Sequence, residues 1–208
     1  MTEKMMEKSC IEFADALAAK VSVPGGGGAA AYVGALGVAL CSMVGNFTAG
    51  KEKFAAVEDD VQRMLADGEA IRTKLIDLVA ADAEAFFPLS KAYGIPKDDP
   101  TRAEVLEEAT KNAIVAPVEM MREICKAIEL LEEMGEKGSK MLISDVGCGA
   151  LLCRAALEAA SMNVFINTGS LTDRAYADEV NAECNAMLDE YVARAVAVSD
   201  KVMAGIKG

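Results

Sequence analysis

Apolar positions along this chain recur at steps of three and four, and no segment alternates at a period of two. That is the signature of helices that each bury one face. Met6, Cys10, Phe13, Ala14 and Leu17 mark an amphipathic helix over 2–19, and residues 21–28 form a turn. A second helix, apolar on every side, covers 29–47 and closes at Gly50. A long stripe through Val57, Val61, Ile71, Leu75, Val79 and Leu89 predicts a helix over 54–93. Gly94-Ile-Pro-Lys-Asp-Asp-Pro100 stops it, because proline limits helix continuation. Thr101, with Glu104 at capping-box spacing, opens a helix to about Met134, kinked or split at Pro117 and ended by Gly135 and Gly138. Ser144 or Asp145 caps a helix to about Asn167, and Thr172 or Asp173 starts a last one to about residue 204. The pattern predicts an all-α protein, a six- to seven-helix bundle with 1–208 as a single domain.

Charge placement adds to this picture. No charged residue occurs in 21–50 or in 159–172. One core of this size needs fewer uncharged helices than that, which predicts a subunit interface and a homodimer. A membrane helix needs about 20 apolar residues. The 21–50 stretch is long enough, but it holds eight glycines together with Ser22, Ser42, Asn46 and Thr48. It reads as a buried helix of a soluble protein, with no membrane partner. The net charge of −12 and the absence of any basic block argue against nucleic acid. The charged N-terminal segment lacks the apolar core of a signal peptide. Six cysteines without metal-ligand spacing predict reduced thiols, no metal site and a cytoplasmic location.

The chain has no histidine. Ser-His-Asp triads, Cys-His pairs and zincin motifs are therefore excluded, and proton transfer falls to Asp, Glu, Lys, Tyr or Cys. Three features carry candidate chemistry. Gly25, Gly26, Gly27 and Gly28 stand before a helix whose free N–H groups suit a carboxylate, phosphate or carbonyl, or else serve as a flexible linker or a close helix crossing. Asp82 shares a helical face with Leu75, Leu78, Val79, Phe86, Leu89 and Tyr93, whereas Asp77 and Glu84 point elsewhere. A desolvated carboxyl there has a raised pKa and is either a general acid/base or a buried aspartate bonded to a neighbouring helix. Asp145 and Asn163 are 18 residues apart, five helical turns, with Asn167 one turn further. They flank a strip of Gly149, Ala156, Ala159 and Ala160, either the wall of a cleft for a flat polar heterocycle or a helix contact. Lys51, with Lys53, is the nearest cation in sequence to the glycine helix, and serves a ligand carboxylate or simply the helix dipole.

Pro24-Gly-Gly-Gly-Gly-Ala-Ala-Ala31, Ser42-Met-Val-Gly45, Thr48-Ala-Gly-Lys51, Ala81-Asp-Ala-Glu-Ala-Phe86, Ile95-Pro-Lys97, Ser144-Asp-Val-Gly147 and Asn163-Val-Phe-Ile-Asn167 occur in one order. Together they resemble the cyclodeaminase/cyclohydrolase family of folate enzymes, over roughly residues 5–200. Gly28 departs from the family's frequent serine, which leaves a backbone N–H role and removes a hydroxyl role. The resemblance implies an all-helical homodimer, a tetrahydrofolate derivative as substrate with no further cofactor, and Asp82 as the catalytic aspartate. The implied reaction is hydrolysis of 5,10-methenyltetrahydrofolate to 10-formyltetrahydrofolate. The alternative is ammonia-releasing ring closure of 5-formiminotetrahydrofolate, and the absence of a transferase domain favours the hydrolysis. A non-catalytic folate-binding or helical scaffold is the reading of another class.

Overall fold

The structure, a computed structural model, describes residues 5–208. Six α-helices follow one another: α1 (Cys10–Ala18), α2 (Gly26–Thr48), α3 (Glu58–Ala92), α4 (Arg102–Lys137), α5 (Ile143–Thr168) and α6 (Arg174–Lys207). Short 3-10 turns cover Met5–Glu7, Glu52–Val57 and Lys140–Leu142, and the described residues contain no strand. The all-helical expectation holds.

Several boundaries differ from the sequence expectation for local reasons. Residues 2–4 of the expected first helix lie outside the described residues. The remainder is divided, because Ser9 starts α1 afresh: its side chain accepts from the Glu12 N–H, and Glu12 accepts from the Ser9 N–H at 2.8 Å. Thr101 and Glu104 form no capping box; Asp99 instead accepts from both the N–H and the hydroxyl of Thr101. Pro117 does not split α4, which runs unbroken for 36 residues. An interior proline costs about 3 kcal/mol, but Ile114, Met120, Met121 and Ile124 around it are buried, at about 1.5–3 kcal/mol each. Gly135 lies inside α4, and Gly138 ends it by donating its N–H to the Met134 carbonyl at 2.8 Å. Neither Ser144 nor Asp145 caps α5, which continues out of the Lys140–Leu142 turn. Asp173 does cap α6, accepting from the Tyr176 N–H at 3.1 Å.

The long helices run up and down. Gly45 meets Leu65 and Gly28 meets Val79, so α2 and α3 are antiparallel. Gly149 packs on Leu131 and Gly135 on Val146, so α4 and α5 are antiparallel as well. The pairs Lys111–Asp173, Arg122–Glu183 and Glu132–Arg194 keep a nearly constant offset, which makes α4 and α6 parallel. These surface pairs are worth at most about 1 kcal/mol each; their periodic spacing sets register more than stability.

Helix α2 sits against α3, α4 and α5. Its tightest crossing is with α5. A Cβ on Gly37 would lie 2.5 Å from Cys153 Sγ and 3.0 Å from the Gly149 carbonyl oxygen. Only backbone fits there, so the two helices touch through their main chains. By length and composition α2 and the Lys140–Thr168 segment are apolar enough to cross a membrane, but 56% of the α2 window is buried inside the bundle. Its remaining face, through Val33, Leu36, Leu40 and Phe47, is half-buried or exposed.

Candidate active site

The up-and-down order places the start of α2, the end of α3 and the end of α5 at one end of the bundle. Asp82 stands on α3 among the buried Leu75, Leu78, Val79 and Leu89, while Asp77 and Glu84 are exposed, as the helical spacing requires. Tyr93 departs from that face: α3 ends at Ala92, and Tyr93 is 55% exposed.

The glycines do not form a turn through Gly28. Gly25 is the extended N-cap and Gly26, Gly27 and Gly28 are the first helical turn. Ala29 is the first residue whose N–H bonds back, to the Gly25 carbonyl at 3.0 Å. The three preceding N–H groups have no partner within the helix. The carboxyl of Asp82 lies against them, and the Gly28 N–H donates to it. A Cβ on Gly27 would come within 2.5 Å of Asp82 Oδ1 and 2.7 Å of Oδ2, so glycine is what lets the carboxyl reach the positive end of the helix. At Gly28 a Cβ would meet only Val79 Cγ1 at 3.4 Å and Pro24 Cβ at 3.7 Å, ordinary contacts.

Burial pushes the Asp82 carboxyl up to about 6, and the Gly28 N–H pulls the other way. No cation pairs with Asp82 among the described residues. An aspartate that titrates near neutrality, with free N–H groups beside it, can accept a proton and return it.

Asn163 joins this group. Its amide lies 3.5 Å from where a Gly26 Cβ would be. Its Nδ2 donates to the Ala159 carbonyl at 2.9 Å, and Asn167 Nδ2 donates to the Asn163 carbonyl at 2.9 Å. The two amides are thus held by their own helix at the same end as Asp82. Pro24 and Val79, to which the sequence reading gave no role, close the apolar side of the glycine turn.

The remaining predicted residues are not brought here within one chain. Lys51 follows the far end of α2, about 37 Å from Gly26 at 1.5 Å per residue; nearness in sequence misled because a whole helix intervenes. Its Nζ stands 5.8 Å from the Phe47 ring centroid. Asp145 is about 27 Å along α5 from Asn163. The small residues between them do not line an open cleft: Gly149, Ala156 and Ala160 are buried, and Gly149 is pressed on α2 and on Leu131 of α4. Of the two readings of that strip, the helix contact is the one the structure bears out. Two clefts, of about 540 and 740 Å³, lie elsewhere on the bundle and are lined by neither Asp82 nor the glycines.

The sequence profile described as formiminotransferase-cyclodeaminase matches residues 9–186. The chain belongs to this family. It is 42% identical over 182 residues to the methenyltetrahydrofolate cyclohydrolase of Methylorubrum extorquens, covering 86% of this chain and 88% of that one. It is 30% identical over 200 residues to the formimidoyltransferase-cyclodeaminase of Mus musculus, covering 94% of this chain but 37% of that much longer protein. The crystal structure of formiminotetrahydrofolate cyclodeaminase from Thermotoga maritima superposes with a TM-score of 0.83 at 32% identity, over 95% of this chain and 98% of that one. Within this family member, the Asp82–glycine–Asn163 cluster unites the motifs at 24–31, 81–86 and 163–167 at one place.

Proposed function

We propose that the protein is a folate one-carbon enzyme that hydrolyses 5,10-methenyltetrahydrofolate to 10-formyltetrahydrofolate, with Asp82 as general acid/base. The observation that carries this reading is the desolvated carboxyl on the open N-terminal turn of α2, in a chain without histidine. Asp82 takes one proton from a water molecule as its oxygen bonds to the carbon between N5 and N10. The tetrahedral adduct then breaks its C–N5 bond, N5 takes the proton back from Asp82, and the remaining hydroxyl proton leaves to solvent as the formyl C=O forms. The substrate is already an electrophilic cation, so these steps call for no further cofactor. The free N–H groups of Gly26 and Gly27 and the amides of Asn163 and Asn167 supply polar contacts for the pterin.

Identity to a cyclohydrolase at 42%, against 30–32% for cyclodeaminases, supports hydrolysis over ring closure. The cyclodeaminase reading is supported by the Thermotoga neighbour and uses the same residue, since ring closure also moves a proton to a departing nitrogen. We also propose that the protein is a homodimer, joined through the exposed apolar side of α2 and α5.

Purified protein is supplied with each folate. Loss of methenyl absorbance above the uncatalysed rate supports hydrolysis. Ammonia release with 5-formiminotetrahydrofolate and no hydrolysis assigns it to ring closure instead.

A further inference from the structure

The predicted site residues fall into two groups at opposite ends of the α2–α5 layer. Asp82, the glycine turn, Asn163 and Asn167 are at one end; Lys51 and Asp145 are at the other. The first group holds no cation with which to meet the carboxylates of a folate, and Lys51 makes no ion pair among the described residues. The exposed apolar side of the same layer says how the groups meet.

On α2 this side runs through six positions symmetric about the level of Val38: Leu36 with Leu40, Val33 with Met43, and Ala29 with Phe47. All are half-buried or exposed. On α5 and the turn before it, the exposed apolar residues are symmetric about Leu151 and Leu152. Cys148 matches Ala155, and Met141 at 83% exposure matches Met162 at 69%. The two centres lie at one height, because Gly37 is pressed between Gly149 and Cys153. A face that is symmetric end to end, on both helices about the same level, is self-complementary under a two-fold axis perpendicular to the helices. That is the isologous contact of a dimer. Spacing of three and four along α2 is also what two antiparallel helices interdigitate.

Resting on the functional reading above, we infer that a second copy of this chain packs on this face with α2 antiparallel to α2, and that each active site is shared. The rotation that sets Ala29 opposite Phe47 sets Gly25 opposite Lys51 of the partner subunit. Asp145 of the partner subunit comes to within about two turns of Asn163 by the same rotation. One chain supplies the proton-transfer group and the helix N-terminus, and the other supplies the cation for the folate's carboxylates.

Two experiments decide this. Differently tagged Asp82→Asn and Lys51→Glu chains are co-expressed, and the mixed dimer is isolated through both tags. Each pure variant dimer loses at least about tenfold in kcat/KM, the equivalent of one 1.4 kcal/mol contact. The mixed dimer regains about half the wild-type activity, because both lesions fall in one site and the other is intact. A mixed dimer no better than the two parents, or a fully active Lys51→Glu dimer, overturns the shared site while leaving the activity itself standing.

The second experiment does not depend on activity. In a Cys148→Ser background, Ala29→Cys with Phe47→Cys are about 27 Å apart in one chain. Oxidation must therefore give a covalent dimer, which neither single change gives to the same extent. A chain that stays monomeric in sedimentation, or that floats with phosphatidylcholine–phosphatidylglycerol vesicles through this face, overturns the arrangement whatever the enzyme's reaction.

Discussion

A Cβ built on Gly27 falls 2.5 Å from Oδ1 of Asp82, closer than any real side chain sits. The sequence element that opens α2 and the carboxyl on α3 are therefore fitted to one another. Gly27→Ala forces the Asp82 carboxyl out of its position. Its kcat should fall by at least about tenfold, since misplacement of a catalytic group by about 1 Å costs up to 10²-fold. Gly28→Ser adds a Cβ at ordinary contact distance, and should keep near-normal kcat and melting temperature. Steady-state kinetics of the two neighbouring variants separates these outcomes, and equal damage from both would contradict the fit.

The Gly37–Gly149 crossing carries the core. Gly37→Ala pushes a methyl into Cys153 and the Gly149 carbonyl. Overpacking of this kind costs about 1–3 kcal/mol, and here backbone must move to relieve it. Denaturant unfolding should show a lower midpoint for Gly37→Ala, while Gly205→Ala, which has open space around it, changes nothing measurable.

The Asp82 carboxyl also makes stability depend on pH with a definite sign. Its folded pKa is about 6 against 3.8 for the exposed group. The folded state therefore holds the proton over a range in which the unfolded chain has lost it. This contribution is fully present below about pH 4 and is lost as pH rises through about 6. Thermal melts of the wild type and Asp82→Asn, compared from pH 4 to 8, should show the variant gaining on the wild type across that window and level above it. A difference that is flat with pH would mean that Asp82 titrates normally.

Much of this was legible in the sequence, and particular residues show why. The spacing of Leu75, Val79, Asp82 and Leu89 alone put a carboxyl on a buried face, because helical periodicity maps directly onto burial. Boundaries were less legible. The glycine run reads locally as a turn, and it becomes helical because α3 and α5 close around it. Ser144 and Thr101 have capping chemistry that their surroundings do not use. Pro117 reads as a break, and packing on both sides of it prevents one. Lys51 and Asp145 could not be placed by spacing, since nothing in a linear pattern says which end of a 23-residue helix faces the site.

The central claim is that Asp82 moves the proton, and its most direct test is the hydrolysis of 5,10-methenyltetrahydrofolate by Asp82→Asn. The side chain keeps its size and polarity but cannot accept a proton from water. With the uncatalysed rate subtracted, kcat should fall by about 10²- to 10⁴-fold while the folate still binds. A folded, folate-binding Asp82→Asn protein that retains wild-type turnover would contradict the account.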